Sequence, residues 1–348
     1  LFGIHPLQVE SVAWISGRKN MLYAIFFLGA MICYLYYLKE RKALKYYLSA
    51  IFLFVLSLLS KSMAVTLPLV LLLLDYSADR KTDKAMFIEK VPYFILSLIF
   101  GIIAVFGVYI SGAIRDQGSY SLLNKLIVAP YSIVFYLDKL FLPLRLSALY
   151  SYSTIKNTAL YLYPLVLLVI LLAGFIFFRQ KKKFILGGAL FLITLLPALQ
   201  FVPNGEIIVA DRYVYLASIG IFYILAEGLF WFFSRKIEPP GLRPSRLQQG
   251  LFLIIIAGTV CILGTLTWKR CSAWKDSLTL WNDVLGKYPN AIMAYNNRAV
   301  TFFERKEYEK SISDFKHVID FVSDRDKITV YLYLTYIYRL IGNNEEAN

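Results

Sequence analysis

Apolar runs close to the roughly 20 residues that a helix needs to cross a bilayer recur along most of this chain. The clearest cover 21–38, 93–112, 159–178, 213–234 and 250–268. Shorter runs at 46–60, 62–76 and 184–200 reach span length by starting or ending among interfacial Tyr, Ser and Pro residues. Eight spans are expected, with the tail of another at residues 1–4. Segment 122–146 is also apolar, but Lys125, Asp138, Lys139 and Arg145 interrupt it. A single crossing there would reverse the side of every later loop, so it reads as interfacial or re-entrant.

The pattern changes after Trp268. Trp274, Ser277, Trp281, Val284 and Pro289 are matched 34 residues later by Tyr308, Ser311, Phe315, Val318 and Ser323. A third copy with two extra residues aligns Tyr295 and Phe302 with Tyr331 and Tyr338, and brings in Gly342 and Ala347. A 34-residue period with small and aromatic residues at fixed offsets is the signature of tetratricopeptide repeats. The expected organisation is a transmembrane bundle over 1–268 followed by a tetratricopeptide-repeat α-solenoid over 269–348, all-α throughout. Leu1 falls in the tail of an apolar helix and Asn348 in the middle of a repeat, so both ends are expected to be cut.

Composition agrees with the pattern, with 58% hydrophobic and 17% charged residues against roughly 25% charged in soluble domains. The net charge of +14 sits beside the spans: of 37 basic residues 25 precede Lys269, with only 12 of the 23 acidic ones. That placement excludes nucleic acid as the partner and makes the charge an orientation signal. Four loops are densely basic: Lys39, Arg41, Lys42 and Lys45; Arg80, Lys81, Lys84 and Lys90; Arg179 with Lys181–Lys183; and Arg235, Lys236, Arg243 and Arg246. Eight alternating spans put all four on one side, the cytoplasm by the positive-inside rule, and the repeats on the other. The three cysteines are far apart and form no ligand spacing, so no metal site is expected. No phosphate-binding loop or dinucleotide fingerprint is present.

Polar clusters on the non-cytoplasmic side carry the candidate chemistry. His5-Pro6-Leu7-Gln8-Val9-Glu10-Ser11-Val12-Ala13-Trp14 is followed by Gly17-Arg18-Lys19-Asn20, and on a short helix Glu10, Trp14 and Arg18 would share a face. Lys61 stands at the corner Ser60-Lys61-Ser62, against the charge rule for its side. Pro203-Asn204-Gly205-Glu206 precedes Ala210-Asp211-Arg212-Tyr213. Each has a structural alternative: interfacial anchoring for Trp14 and Arg18, snorkelling for Lys61, and a helix-closing ion pair for Asp211 with Arg212. The functional alternative is an anionic lipid-linked substrate, with cations stabilising a departing phosphate and a carboxylate taking the acceptor's proton. The candidate set is Glu10 as the carboxylate and His5, Arg18, Lys19, Lys61, Asp211, Arg212 and Tyr213 as substrate-binding groups. Tyr131, Asp138, Lys139, Arg145 and Tyr150 are further candidates in the same compartment.

These segments, with Thr66-Leu67-Pro68 and Trp274-Lys275-Asp276-Ser277, resemble the transmembrane-and-tetratricopeptide-containing protein family along nearly the whole chain, in wording closer to its bacterial members. The resemblance implies a GT-C type glycosyltransferase bundle. Such a bundle uses a polyprenyl-phosphate sugar as donor substrate, dolichyl-phosphate mannose in eukaryotic O-mannosyltransferases, and a protein Ser or Thr as acceptor. It implies no bound cofactor. The bilayer, the lipid-linked sugar and a protein engaged by the repeats are the implied partners. Two departures bear on the site: the family's catalytic acidic pair is expected upstream of Leu1, and the position often held by Asp in relatives is Asn20. A non-catalytic membrane scaffold for protein partners and a transporter or flippase are the competing readings.

Overall fold

The computed structural model describes residues 1–40, 43–110, 122–151, 157–179, 181–199, 207–235, 246–322 and 324–347, with the side chains of 122–126, 151, 157–161, 232–235, 246–249 and 324–326 left aside. Cluster 203–206 and the basic residues Arg41, Lys42, Lys236 and Arg243 lie outside the described residues.

Helices dominate in the order the apolar pattern predicts. A short α1 (Val9–Ala13) precedes α2 (Arg18–Lys39) and α3 (Leu44–Ser60). A 3-10 turn over Ser62–Thr66 leads into α4 (Leu67–Ser77), with Pro68 in its first turn, where a missing N–H costs nothing. The short α5 (Lys84–Ile88) is capped by Asp83, whose carboxylate accepts from the Met86 N–H at 2.7 Å. It runs into α6 (Val91–Ile110). Then come α7 (Leu122–Phe141), α8 (Asn157–Phe178), α9 (Lys182–Leu195), α10 (Ser218–Arg235) and α11 (Arg246–Ala273). Three of these stretches, Ile15–Lys39, Lys84–Ile110 and Gly250–Ala273, are long and apolar enough to cross a membrane. Four shorter apolar helices, Leu44–Ser60, Ser62–Ser77, Leu162–Phe178 and Ser218–Trp231, accompany them.

Small residues let these helices approach closely, as they do where lipid rather than water surrounds a bundle. Gly29 of α2 lies against Leu53 of α3, Ala30 and Ala50 are fully buried, and the Ser57 hydroxyl donates to the Tyr23 carbonyl at 2.8 Å. Gly187 and Gly220 meet where α9 crosses α10, and a methyl group on Gly220 would lie 2.3 Å from the Gly187 carbonyl oxygen. One core joins α2, α3, α4, α7, α9 and α10. Helix α7 contributes Val128, Tyr131, Phe135, Tyr136 and Leu140 to it, so the interrupted segment is a helix with a buried face.

Two sequence boundaries shift. The span expected from 213 begins at Ser218, because Asp211–Tyr213 form a 3-10 turn. The last apolar helix runs on past 268 to Ala273.

Beyond it, α12 (Ser277–Lys287), α13 (Ile292–Glu304), α14 (Tyr308–Ile319), α15 (Asp324–Leu340) and α16 (Asn344–Ala347) pack consecutively. Val284 and Val318, 34 residues apart, are both fully buried, as is Phe315. Between these helices and the bundle lies a two-stranded antiparallel ribbon, β1 (Tyr150–Ser151) with β2 (Ile207–Val209). Leu149 beside it packs with Val284, Leu285, Ala291 and Ala294, which ties α12 and α13 to the site end of the bundle.

Candidate functional site

The segment before α2 is pinned rather than loose. Pro6 sits in the first turn of a 3-10 turn over Pro6–Gln8, and the His5 ring accepts from the Leu7 N–H at 3.3 Å through Nδ1. Its Nε2 lies 3.1 Å from the Leu140 carbonyl oxygen, to which it donates. Burial lowers the His5 imidazole to about 4, against the pull of that carbonyl, so it is neutral. His5 thus anchors α7 to the N-terminal segment through backbone groups. Gln8 Nε2 donates to the Ser218 hydroxyl at 3.0 Å, and Thr267 of α11 donates to the Ile4 carbonyl at 2.7 Å. Gly17 closes the loop, since a Cβ there would come within 3.0 Å of the Glu10 carbonyl oxygen.

One expectation fails in this segment. Glu10, Trp14 and Arg18 do not share a helical face, because α1 stops at Ala13 and Trp14 is extended at φ −77°, ψ 119°. A 3-10 turn over Ile15–Gly17 follows, and α2 restarts at Arg18. The 3.6-residue period does not survive such a break, and the Arg18 and Lys19 side chains are exposed.

Glu10 nevertheless finds a cation. Its Oε2 accepts from the Arg212 backbone N–H at 2.9 Å and its Oε1 from Arg212 Nη1 at 2.5 Å. The carboxylate is buried, and 13% of the Arg212 side chain is exposed. The guanidinium also lies over the Trp14 ring at 5.2 Å and the Tyr213 ring at 4.8 Å, the flat contacts a delocalised cation favours. Lys61 Nζ sits 5.3 Å from the same Tyr213 ring and 5.5 Å from that of Tyr23, and donates to Asn20 Oδ1 at 2.5 Å. Burial, with the positive charges of Arg212 and Lys19, lowers the Lys61 ammonium to about 7; Glu10 pulls it the other way. Lys61 thus feels Arg212, Lys19 and Glu10, while the Glu10 carboxylate is committed to Arg212.

Asp211 faces away from this pair. It accepts from the Tyr150 hydroxyl at 3.0 Å through Oδ1, and Arg270 Nη2 stands 3.9 Å from its Oδ2. Burial and the negative charge of Glu10 push the Asp211 carboxyl up, while Arg270 and Tyr150 oppose them. Arg270 also holds Asp283 of α12 at 2.9 Å, and Lys287 joins Asp283 at 2.6 Å and the Leu146 carbonyl at 2.7 Å. Arg145 reaches the Lys287 carbonyl at 3.0 Å. Lys139 is spent on the Leu144 carbonyl and its neighbour Asp138. A chain of charges thus runs from the site through Asp211 to the C-terminal helices. Trp14 meets Trp274 along the same boundary, with ring centroids 6.5 Å apart.

Sequence reasoning missed Asn20 as the partner of Lys61, and it missed Arg270 and Trp274. Arg270 was hidden at the end of an apolar run, where a cation normally reads as an interfacial anchor. Gln8 Oε1, Ser11 Oγ, Asn20 Nδ2, Asp211 Oδ2, Arg270 Nε and Trp274 Nε1 are buried here without a hydrogen-bond partner in the protein. Among the described residues no group of His, Cys, Asp and Glu forms a metal-binding cluster.

A buried cluster of charged side chains at one end of an apolar helical bundle, continued into packed helices, places the chain among membrane proteins. In an alignment 306 positions long that covers 85% of the chain, it is 26% identical to a protein O-mannosyl-transferase of Caenorhabditis elegans. It spans 41% of the length of that relative. No family model and no solved structure matches it.

Proposed function

We propose that the chain is part of a multi-pass membrane glycosyltransferase that moves a sugar, mannose first among them, from a polyprenyl phosphate to a Ser or Thr hydroxyl of a protein. The observation that supports this reading is the grouping of Arg212 and Lys61 at the Tyr213 ring, with Glu10 committed to Arg212 and the Lys19 charge felt at Lys61. In such a transfer the acceptor oxygen attacks the anomeric carbon and the bond from that carbon to the phosphate oxygen breaks. The phosphodiester, singly charged in the donor, leaves as a phosphate monoester with a second negative charge. Cations fixed beside that oxygen bind the leaving group more tightly than the donor, which is how they lower the barrier. Glu10 accepts from Arg212 through both oxygens, so its role here is to position Arg212; the acceptor's proton goes to a different base.

The same proposal places the site and α12–α16 on the non-cytoplasmic side, with Lys39, Arg80 and Lys181–Lys183 at the cytoplasmic ends. It takes α12–α16 as tetratricopeptide-type repeats that engage the acceptor, in keeping with the burial of Val284, Phe315 and Val318 at repeat-equivalent positions. The affinity of the motifs for bacterial members belongs to the same proposal.

The test supplies membranes carrying the full gene product with polyprenyl-phosphate mannose, glucose and N-acetylglucosamine, each radiolabelled, and follows label into protein. Label from mannose alone is the expected result. No transfer from any of the three, with the protein abundant and folded, would leave the scaffold reading in its place.

A further inference from the structure

The end of the bundle opposite the Glu10–Arg212 site carries a second feature. Helix α10 runs from Ser218 beside the site to Trp231, a distance of about 20 Å at 1.5 Å per residue. There α8 turns into α9, and a cavity of about 510 Å³ opens between that turn and α10, with Phe184, Phe230 and Trp231 in its wall. Phe178 and Phe184 stack at 4.4 Å across the turn. The Lys181 ammonium lies over three rings, 4.4 Å from Trp231, 5.7 Å from Phe178 and 5.8 Å from Phe184.

The neighbouring lysines differ in their partners. Lys182 pairs with Asp79, and Lys183 pairs with Glu227 at 2.9 Å. Among the described residues no carboxylate pairs with Lys181. Its charge is held by ring faces, which fix a cation in place without neutralising it. Phe230 is 68% exposed and Phe177 70%, so apolar surface continues from the cavity along α10 and α8. Lys182, Lys183 and Glu227 complete the cavity's lining. A ring-held cation beside two carboxylate-paired lysines, above an aromatic wall at a helix end, complements a molecule with a negative headgroup and a hydrocarbon tail.

We propose that this cavity binds one anionic glycerophospholipid, its phosphate on Lys181 and an acyl chain against Phe184, Phe230 and Trp231. The inference uses the reading of α8 and α10 as membrane helices but does not depend on glycosyl transfer. A zwitterionic lipid would bring its own cation against Lys181, and a free phosphate would leave the aromatic wall bare.

Native mass spectrometry of the whole protein, released from micelles containing equal phosphatidylglycerol and phosphatidylcholine, tests this. The wild type is expected to retain one phosphatidylglycerol in about fivefold preference to phosphatidylcholine, roughly the effect of one lysine at an anionic surface. Lys181→Gln should abolish the preference and Trp231→Ala should reduce retention of both lipids, whereas Lys310→Gln, on α14 outside the cavity, should leave the preference intact. Equal retention of the two lipids by the wild type would overturn the proposal, as would an undiminished preference in Lys181→Gln. Added inorganic phosphate that displaced the lipid would assign the site to phosphate instead.

Discussion

Lys61 meets an amide rather than a carboxylate, and much of the site's proposed chemistry turns on that pairing. Asn20 accepts one hydrogen bond and leaves the charge of Lys61 whole. Burial and the nearby cations lower the ammonium to about 7. A bound phosphate restores the ordinary preference for the charged form, so donor binding takes up a proton above that pH. Donor affinity should therefore weaken as pH rises from 7 to 9, by up to about tenfold per unit. A titration of labelled polyprenyl phosphate against Lys61→Met, in which that slope should vanish, checks this. Without donor the sign for folding is opposite: the buried ammonium is a burden below pH 7 that lifts as pH climbs toward the ordinary value of 10.5. Asn20→Asp should supply the missing counter-charge and raise donor KM by about tenfold, some 1.4 kcal/mol, with kcat far less affected. An unchanged KM would remove Lys61 from the donor site. Glu10→Ala leaves Arg212 buried without its partner and should cost about 3–5 kcal/mol. The melting temperature in micelles reports that loss, and Glu10→Ala combined with Arg212→Met should recover part of it.

At the scale of elements, the approach of α9 to α10 sets where Asp211 and Arg212 stand, because both residues lie just ahead of α10. A methyl group on Gly220 meets the Gly187 carbonyl and the Phe191 backbone, neither of which can swing away as a side chain would. Gly220→Ala should therefore destabilise the bundle by about 1–3 kcal/mol and depress transfer at matched abundance. A variant as stable and active as the wild type would show that the helices tolerate separation. Helix positions were legible in the sequence because apolar runs of span length have few other uses. The breaks between them were less so. The register from Glu10 to Arg18 was misread because a 3-10 turn at Ile15–Gly17 resets the helical phase, and nothing in a window of residue types marks that turn except Gly17. The 3-10 start at Asp211 likewise hid within an aromatic run that reads as helix.

For the whole molecule, the sequence singled out Glu10, Lys61, Asp211 and Arg212 as candidates but could not give their pairings. Glu10 and Arg212 are separated by 202 positions, and only tertiary structure could join them. Arg270 remained hidden because the end of a span is where Arg is ordinarily found, and Trp274 because its place in the 34-residue period reads as repeat packing. Their partners, Asp283 and Trp14, show that α11 couples the site to the C-terminal helices. That coupling is what the proposal of an acceptor-engaging region beside the donor site requires. The central claim is that Arg212 holds the donor phosphate. The most direct measurement compares mannose transfer to protein, from labelled polyprenyl-phosphate mannose, by wild type, Arg212→Lys and Arg212→Ala in membranes, at equal abundance and with folding verified by protease resistance. The account predicts transfer by the wild type, a residue of activity in Arg212→Lys, and a loss of at least about a hundredfold in Arg212→Ala, the scale of a deleted transition-state donor. A folded Arg212→Ala protein that transfers mannose at the wild-type rate would contradict it.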